Sequence, residues 1–188
     1  MTELEYIREI IEGNPGRFSY FISKYKDMAF SIAFRIVNNR EDAEEIVQDS
    51  FMRAFRSVKK FRKEAKFSTW FYRIVVNKAL SQKKKLNRRA GEKSPEDIPG
   101  VNTWDIESAY RNLDQNDRAK YINAALGKLS QEDSLLLTLY YLDENSVDEI
   151  SKITGISGDN VKMKLLRARK KLYYELEKLL KSEFKSLL

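Results

Sequence analysis

The chain has 188 residues and contains neither cysteine nor histidine. That excludes a disulfide framework, a thiol nucleophile, a histidine general base and a structural zinc site built on those ligands. Hydrolysis would have to run on carboxylates and lysines alone. Only three prolines and seven glycines punctuate the chain. The glycines are scattered, and none opens the strand-to-helix turn of a phosphate loop or a dinucleotide fingerprint. No apolar run approaches the roughly 20 residues that a membrane span needs. The first residues, MTELEYIREIIEGNPG, are acidic and amphipathic, unlike a signal peptide. The expectation is a soluble, cytoplasmic protein with no membrane insertion, no cofactor and no metal site. Strand patterns, internal repeats and low-complexity tracts are also missing.

What the chain does have is charge, unevenly placed. The formal net charge is +7. From Lys59 to Arg89 there are twelve Lys/Arg against one acid, Glu64; from Gly91 to Asp117 there are seven acids against Lys93 and Arg111. A concentrated basic face suits a polyanion. A solvated helix face explains a charge run equally simply. Phe61, Phe67, Trp70 and Tyr72 interleave with the cations, and single-stranded nucleic acid needs such stacking partners.

Apolar periodicity is helical throughout. Thr2 to Glu12 reads as a short helix with Leu4, Ile7, Ile10 and Ile11 inward, broken by Gly13-Asn14-Pro15-Gly16. Phe18 to Val37 carries Phe21, Ile22, Tyr25, Met28, Ala29, Ile32, Ala33 and Ile36, and Asn38-Asn39 ends it. A hairpin of two helices follows, Asp42 to Lys85. The first, capped by Asn39 or Asp42, turns Val47, Phe51, Ala54, Phe55 and Val58 inward and Glu44, Glu45, Gln48, Asp49 and Arg53 outward. The second starts at Ser68 and buries Phe71, Ile74, Val75 and Ala79. Arg73, Asn77, Lys78 and Lys83 to Lys85 fall elsewhere on its wheel.

Residues 1–86 are thus one helical domain. Residues 87–112 read as a linker, with one helical turn near Trp104 to Tyr110. Residues 113–188 form a second helical domain. Its first helix centres on Tyr121 to Leu126, and Ser130 to Asp133 starts the next. Ser146 and Glu149 have the form of a capping box. Val147, Ile150 and Ile153 then face inward, Gly155 turns the chain, and Ser157 caps a helix with Val161, Leu165 and Leu172 inward. Two helices joined in this way make a helix-turn-helix pattern. The fold class is all-α: two small helical domains and a linker, the second domain a helix-turn-helix.

Three segments in this order carry a resemblance: DAEEIVQDSFMRAF, KFRKEAKFSTWFYRIVVNKA and LYYLDENSVDEISKITGISGDNVKMKLLRARKKL. Together they resemble the bacterial sigma factors, specifically the small two-domain extracytoplasmic-function group, over nearly the whole chain. The resemblance implies a non-enzymatic subunit that binds core RNA polymerase and directs promoter-specific initiation. Polymerase would be met at the clamp helices of its largest subunit and at its flap region. Glu45, Gln48, Asp49 and Arg53 match the clamp contact. Phe61, Arg62, Lys63 and Lys66, with Arg73 and Asn77, match the positions that handle the −10 element. Asn160, Lys162, Met163, Leu166 and Arg167 match groove-facing positions at the −35 element, and Lys164 and Arg169 phosphate contacts. Trp70 and Phe71 belong to a signature that packs the domain.

Two positions depart from the family pattern. Many members have threonine where Asn160 stands and serine where Met163 stands, so the resemblance implies the docking mode but does not carry over the family's −35 preference. The resemblance also implies an anti-sigma factor as a partner. Two other readings compete. A helix-turn-helix regulator could act without polymerase; binding to core polymerase separates the two. A carboxylate-based phosphohydrolase would need facing acidic clusters, and Asp42, Glu45 and Asp49 have only surface spacing.

Overall fold

A computed structural model describes residues 1–90 and 115–186, with only the backbone for 86–90, 115–118 and 181–186. The expected turn near Trp104 lies outside the described residues. Among these residues there are eight α-helices and no strand. They are α1 (Glu3–Ile11), α2 (Ser19–Val37), α3 (Arg40–Ser57), α4 (Phe67–Ala90), α5 (Gln115–Leu126), α6 (Gln131–Tyr141), α7 (Val147–Thr154) and α8 (Gly158–Ser186). The all-α class stands.

Local chemistry sets the helix boundaries. The Thr2 hydroxyl and the Glu5 carboxylate cap α1 reciprocally. Asn38 ends α2 in the left-handed region, at φ 53°. Of the two candidate caps for α3, Asn39 is the one used: its Oδ1 accepts the Asp42 N–H at 2.9 Å. Helix α4 begins one residue before Ser68, because the Lys66 carbonyl accepts the Trp70 N–H at 3.2 Å. It runs to Ala90, four residues past the expected edge of the first domain. The capping box at Ser146 and Glu149 forms as anticipated. Gly155 closes α7 at φ +78°, where any Cβ would be strained.

The first domain is built on rings. Phe21 and Phe67 meet at 4.1 Å between centroids, Phe51 and Phe71 at 4.4 Å, and Tyr25 lies 5.6 Å from Phe67. Three helices, α2, α3 and α4, supply these rings, and each ring buries a large apolar area. The second domain is aliphatic: Leu136, Leu139, Ile150, Ile153, Val161 and Leu165 are buried together.

Several inward expectations need correction. Leu4, Ile11 and Ile22 are exposed. Helix α1 lies at the edge of the bundle and touches it along a narrow line through Ile7 and Ile10, so its wider apolar stripe is left uncovered. On α3 the buried line is Ala43, Ile46, Ser50, Phe51 and Ala54. Phe55 sits a step off that line, 40% exposed, with its ring edge-on to Phe18 at 5.2 Å. Val47 is half-buried.

The two domains are docked. Helix α4 packs on α7, and α2 on α6, and one hydrophobic core runs through both. Polar links cross the seam. The Tyr72 hydroxyl donates to Asp143 Oδ1 at 3.2 Å, Lys66 Nζ lies 2.9 Å from Glu149 Oε1, and Arg35 donates to Asn123 Oδ1 at 2.6 Å. Sequence separations of 71, 83 and 88 residues make these links invisible to any local pattern.

Candidate polymerase and nucleic-acid interfaces

On α3, the Asn39 cap fixes the helix phase and the buried line fixes its roll. Glu44, Glu45, Gln48 and Arg53 consequently face solvent. Asp49 behaves differently: its carboxylate pairs with Lys78 of α4. Beside that pair, Arg53, Arg56, Lys60 and Lys78 line a shallow groove of about 440 Å³. The acidic face is therefore Glu44, Glu45 and Gln48, with Arg53 at its edge.

The loop between α3 and α4 passes through a short 3₁₀ turn, Val58–Lys60. Lys63 takes φ 61°, an uncommon conformation for a residue with a Cβ. Lys59, Lys60, Arg62 and Lys63 are exposed. Phe61 is half-buried, its ring 5.4 Å from Trp70 and 5.9 Å from Phe67. It forms a wall of the domain as well as an edge of the loop. Lys66 is engaged across the seam, and the Glu149 carboxylate raises its ammonium above the ordinary range. Arg73 and Asn77 are exposed one turn apart on α4.

The seam shapes its own electrostatics. Burial raises the Asp143 carboxyl, and the donated hydrogen bonds from Asn145 and Tyr72 only partly offset that. Burial, then Asp143 itself, also raises the Tyr72 phenol. Burial opposes ionisation of Glu149 too, but the Ser146 N–H and Lys66 win and its carboxyl is lowered. Asn145, buried, ties this corner down by donating to the Leu139 carbonyl at 3.0 Å and to Asp143 Oδ2 at 2.8 Å. Of this group only the Ser146–Glu149 spacing was readable beforehand.

On α8, Val161, Leu165 and Ala168 are buried, which turns Asn160, Lys162, Met163, Leu166, Arg167 and Lys170 outward. The two residues expected at phosphates are occupied. Lys164 lies 2.5 Å from Glu132, and the Arg169 guanidinium sits over the rings of Tyr140 and Tyr141 at 5.2 and 5.6 Å. Lys171 lies 3.0 Å from Asp133. These cations hold α8 to α6.

An acidic helix, a basic aromatic loop and a helix-turn-helix with a polar outer face thus stand in fixed order. The family model described as Sigma-70 region 2 matches residues 21–89, and that described as Sigma-70, region 4 matches residues 119–172. The chain belongs to the sigma-70 family. Within it this sigma factor groups with the extracytoplasmic-function members. It is 25% identical over 187 residues to the sigma-E factor of Haemophilus influenzae, covering 96% of this chain and 98% of the relative. It is 27% identical over 179 residues to SigW of Bacillus subtilis, covering 92% and 96%. A sigma factor is a non-enzymatic subunit that gives RNA polymerase its promoter recognition, and its partners are core polymerase and promoter DNA. The fold matches CnrH, solved in complex with the cytosolic domain of CnrY, at a TM-score of 0.62 and 22% identity, covering 92% of this chain and 95% of that one. It also matches RpoE of Bartonella quintana, solved with the anti-sigma factor NepR, at 0.64 and 21%, covering 85% and 96%. Among the described residues no helix is long and apolar enough to cross a membrane.

Proposed function

We propose that this sigma factor divides its task among three faces. Glu45 and Gln48, with Asp49 and Arg53 beside them, meet the clamp helices of core polymerase. Phe61, Arg62, Lys63 and Lys66 with Arg73 and Asn77 handle the melted −10 strand. Asn160, Lys162, Met163, Leu166 and Arg167 read the −35 duplex, while Lys164 and Arg169 stay near the phosphates as supports for α8. The flap region of polymerase contacts the second domain. The protein works in the cytoplasm, and an anti-sigma factor holds it inactive.

The observation that carries this reading is the separation of charge on one hairpin. An exposed acidic face on α3 and exposed Arg73 and Asn77 on α4 are fixed by the same aromatic core. Opening a duplex costs a few kcal/mol per extruded base, and stacking and base-edge contacts offset about 1–3 kcal/mol per base. Asn77 offers a donor and an acceptor for such an edge.

The docked arrangement is a resting form in this reading. Elements 25 base pairs apart are separated by roughly 85 Å along a duplex, at about 3.4 Å per base pair. Two domains sharing one core do not span that. Lys66, freed from Glu149 when the domains part, becomes available to phosphate. An anti-sigma factor that favours the docked form would act on this step.

The test compares two promoter templates, one fully paired and one mismatched through the −10 element. Asn77→Ala is expected to impair open-complex formation on the paired template and to recover on the mismatched one, with core polymerase binding unchanged. Equal permanganate reactivity of wild type and variant on the paired template would remove Asn77 from the −10 face.

A further inference from the structure

The seam between the domains encloses a cleft of about 730 Å³. Helices α2 and α4 form one side, and α5, α6 and the end of α7 the other. Ile36, Val76, Leu80, Leu126, Leu135 and Leu136 give it apolar walls. Arg35 and Lys83 also line it. Neither has an acidic partner among the described residues, and for both burial lowers the affinity for the proton. Arg35 spends one guanidinium nitrogen on Asn123, while its buried Nε has no partner. The buried Ser134 hydroxyl on the opposite side has none either. Among the described residues the one carboxylate at the rim, Glu132, is taken by Lys164.

Two half-buried cations with no free acid facing them among the described residues are costly. A ligand carrying one negative group and an apolar body would satisfy both. The cleft volume lies in the range of small-molecule sites, lined as they are by apolar side chains with a few polar groups. We propose that this cleft binds a small amphipathic anion, a carboxylate with a medium-length apolar tail. The carboxylate lies between Arg35 and Lys83, and the tail lies along Leu80, Leu126 and Leu136. Because its walls come from both domains, the bound anion holds them together.

Titration calorimetry on the full chain tests this with decanoate as the probe and its neutral amide as the control. Wild type is expected to take up one decanoate per chain in a saturable manner and to bind the amide at least tenfold more weakly. Arg35→Met and Lys83→Met are each expected to lose at least tenfold in decanoate affinity, and Arg35→Lys to retain most of it. Leu80→Trp, at an exposed rim position, fills the cleft while leaving both cations in the chain and is expected to abolish uptake while the chain stays folded. Wild-type affinity in Leu80→Trp, or equal binding of acid and amide, overturns the proposal. Uptake only after residues 91–114 are replaced by a glycine–serine chain of equal length also overturns it, in favour of an occupant from this chain itself.

Discussion

Helices α4 and α8 look alike on paper: each is long, strongly basic and amphipathic. In the structure their cations have different fates. On α4, Lys78 is paired with Asp49, and Lys66 just before the helix with Glu149, whereas Arg73 is exposed beside Asn77 with no ion pair among the described residues. On α8, Lys164, Arg169 and Lys171 bind α6, Lys162 reaches Asp159 of its own helix at 3.5 Å, and the outward face holds Arg167 and Lys170 with Met163 and Leu166 beside them. A count of lysines and arginines measures the field around a helix. It does not say which cations are already spent on holding the fold. The unspent ones differ in setting. On α4 they flank a polar amide suited to a single base edge. On α8 they flank apolar side chains suited to a thymine methyl in a major groove.

The contrast breaks first through the cores. Phe71 is fully buried against Phe51, Phe67 and Tyr25. Phe71→Ala is expected to cost about 3–5 kcal/mol in urea unfolding, while Phe61→Ala, half-buried at the loop, costs clearly less. Equal losses would place Phe61 in the core and take it away from the −10 face.

Arg167 gives the next effect. Arg167→Ala is expected to lose about 1–3 kcal/mol on a −35 duplex and much less on a random one, if it pairs with a guanine. Equal losses on both, by fluorescence anisotropy, would make it a phosphate contact.

The seam yields a pH effect of intermediate size. Asp143 is raised when the domains are docked, so between its ordinary and its raised value the docked form keeps a proton that the separated form has lost. Its contribution to docking is full below the ordinary carboxylate range and fades as pH rises through the raised value. Glu149 is lowered, first by the Ser146 N–H of its own cap and then by Lys66, and the Lys66 share, which belongs to docking, runs the other way: present at neutral pH, lost as pH falls. Asp143→Asn should therefore tighten docking at pH 7 and leave only the Glu149 limb, so that acid now loosens the chain. Small-angle scattering from pH 7 to pH 4 follows the radius. A variant whose radius does not change with pH, or grows at pH 7, would contradict the assignment to Asp143.

The smallest effect separates fold from phosphate. Lys170→Ala is expected to weaken every duplex alike and to reduce the salt slope by about 1. Glu45→Lys with Gln48→Ala is its counterpart on α3. Exposed sites shift stability by only ~0.5 kcal/mol, so thermal melting should hardly move while core polymerase affinity falls. Unchanged affinity would remove that face from the polymerase contact.

The sequence by itself determined a good deal. Helical spacing, Asn39, the Ser146–Glu149 box and Gly155 specify elements through interactions within a few residues, and such interactions are written in the order of the chain. The outward set on α8 came with the family resemblance, and burial of Val161, Leu165 and Ala168 turns those residues to solvent. What periodicity could not supply is which of two neighbouring stripes a neighbour covers. Phe55 and Leu4 are as apolar as Phe51 and Ile7, and only the position of the adjoining helix leaves them exposed. Tertiary structure alone decided that the two domains share a core, that Tyr72 meets Asp143, and that Lys66, Lys164 and Arg169 are engaged. Each of those pairings joins residues about 30 to 80 apart in the chain, where propensity and spacing carry no information and only the packing of whole helices selects the partner.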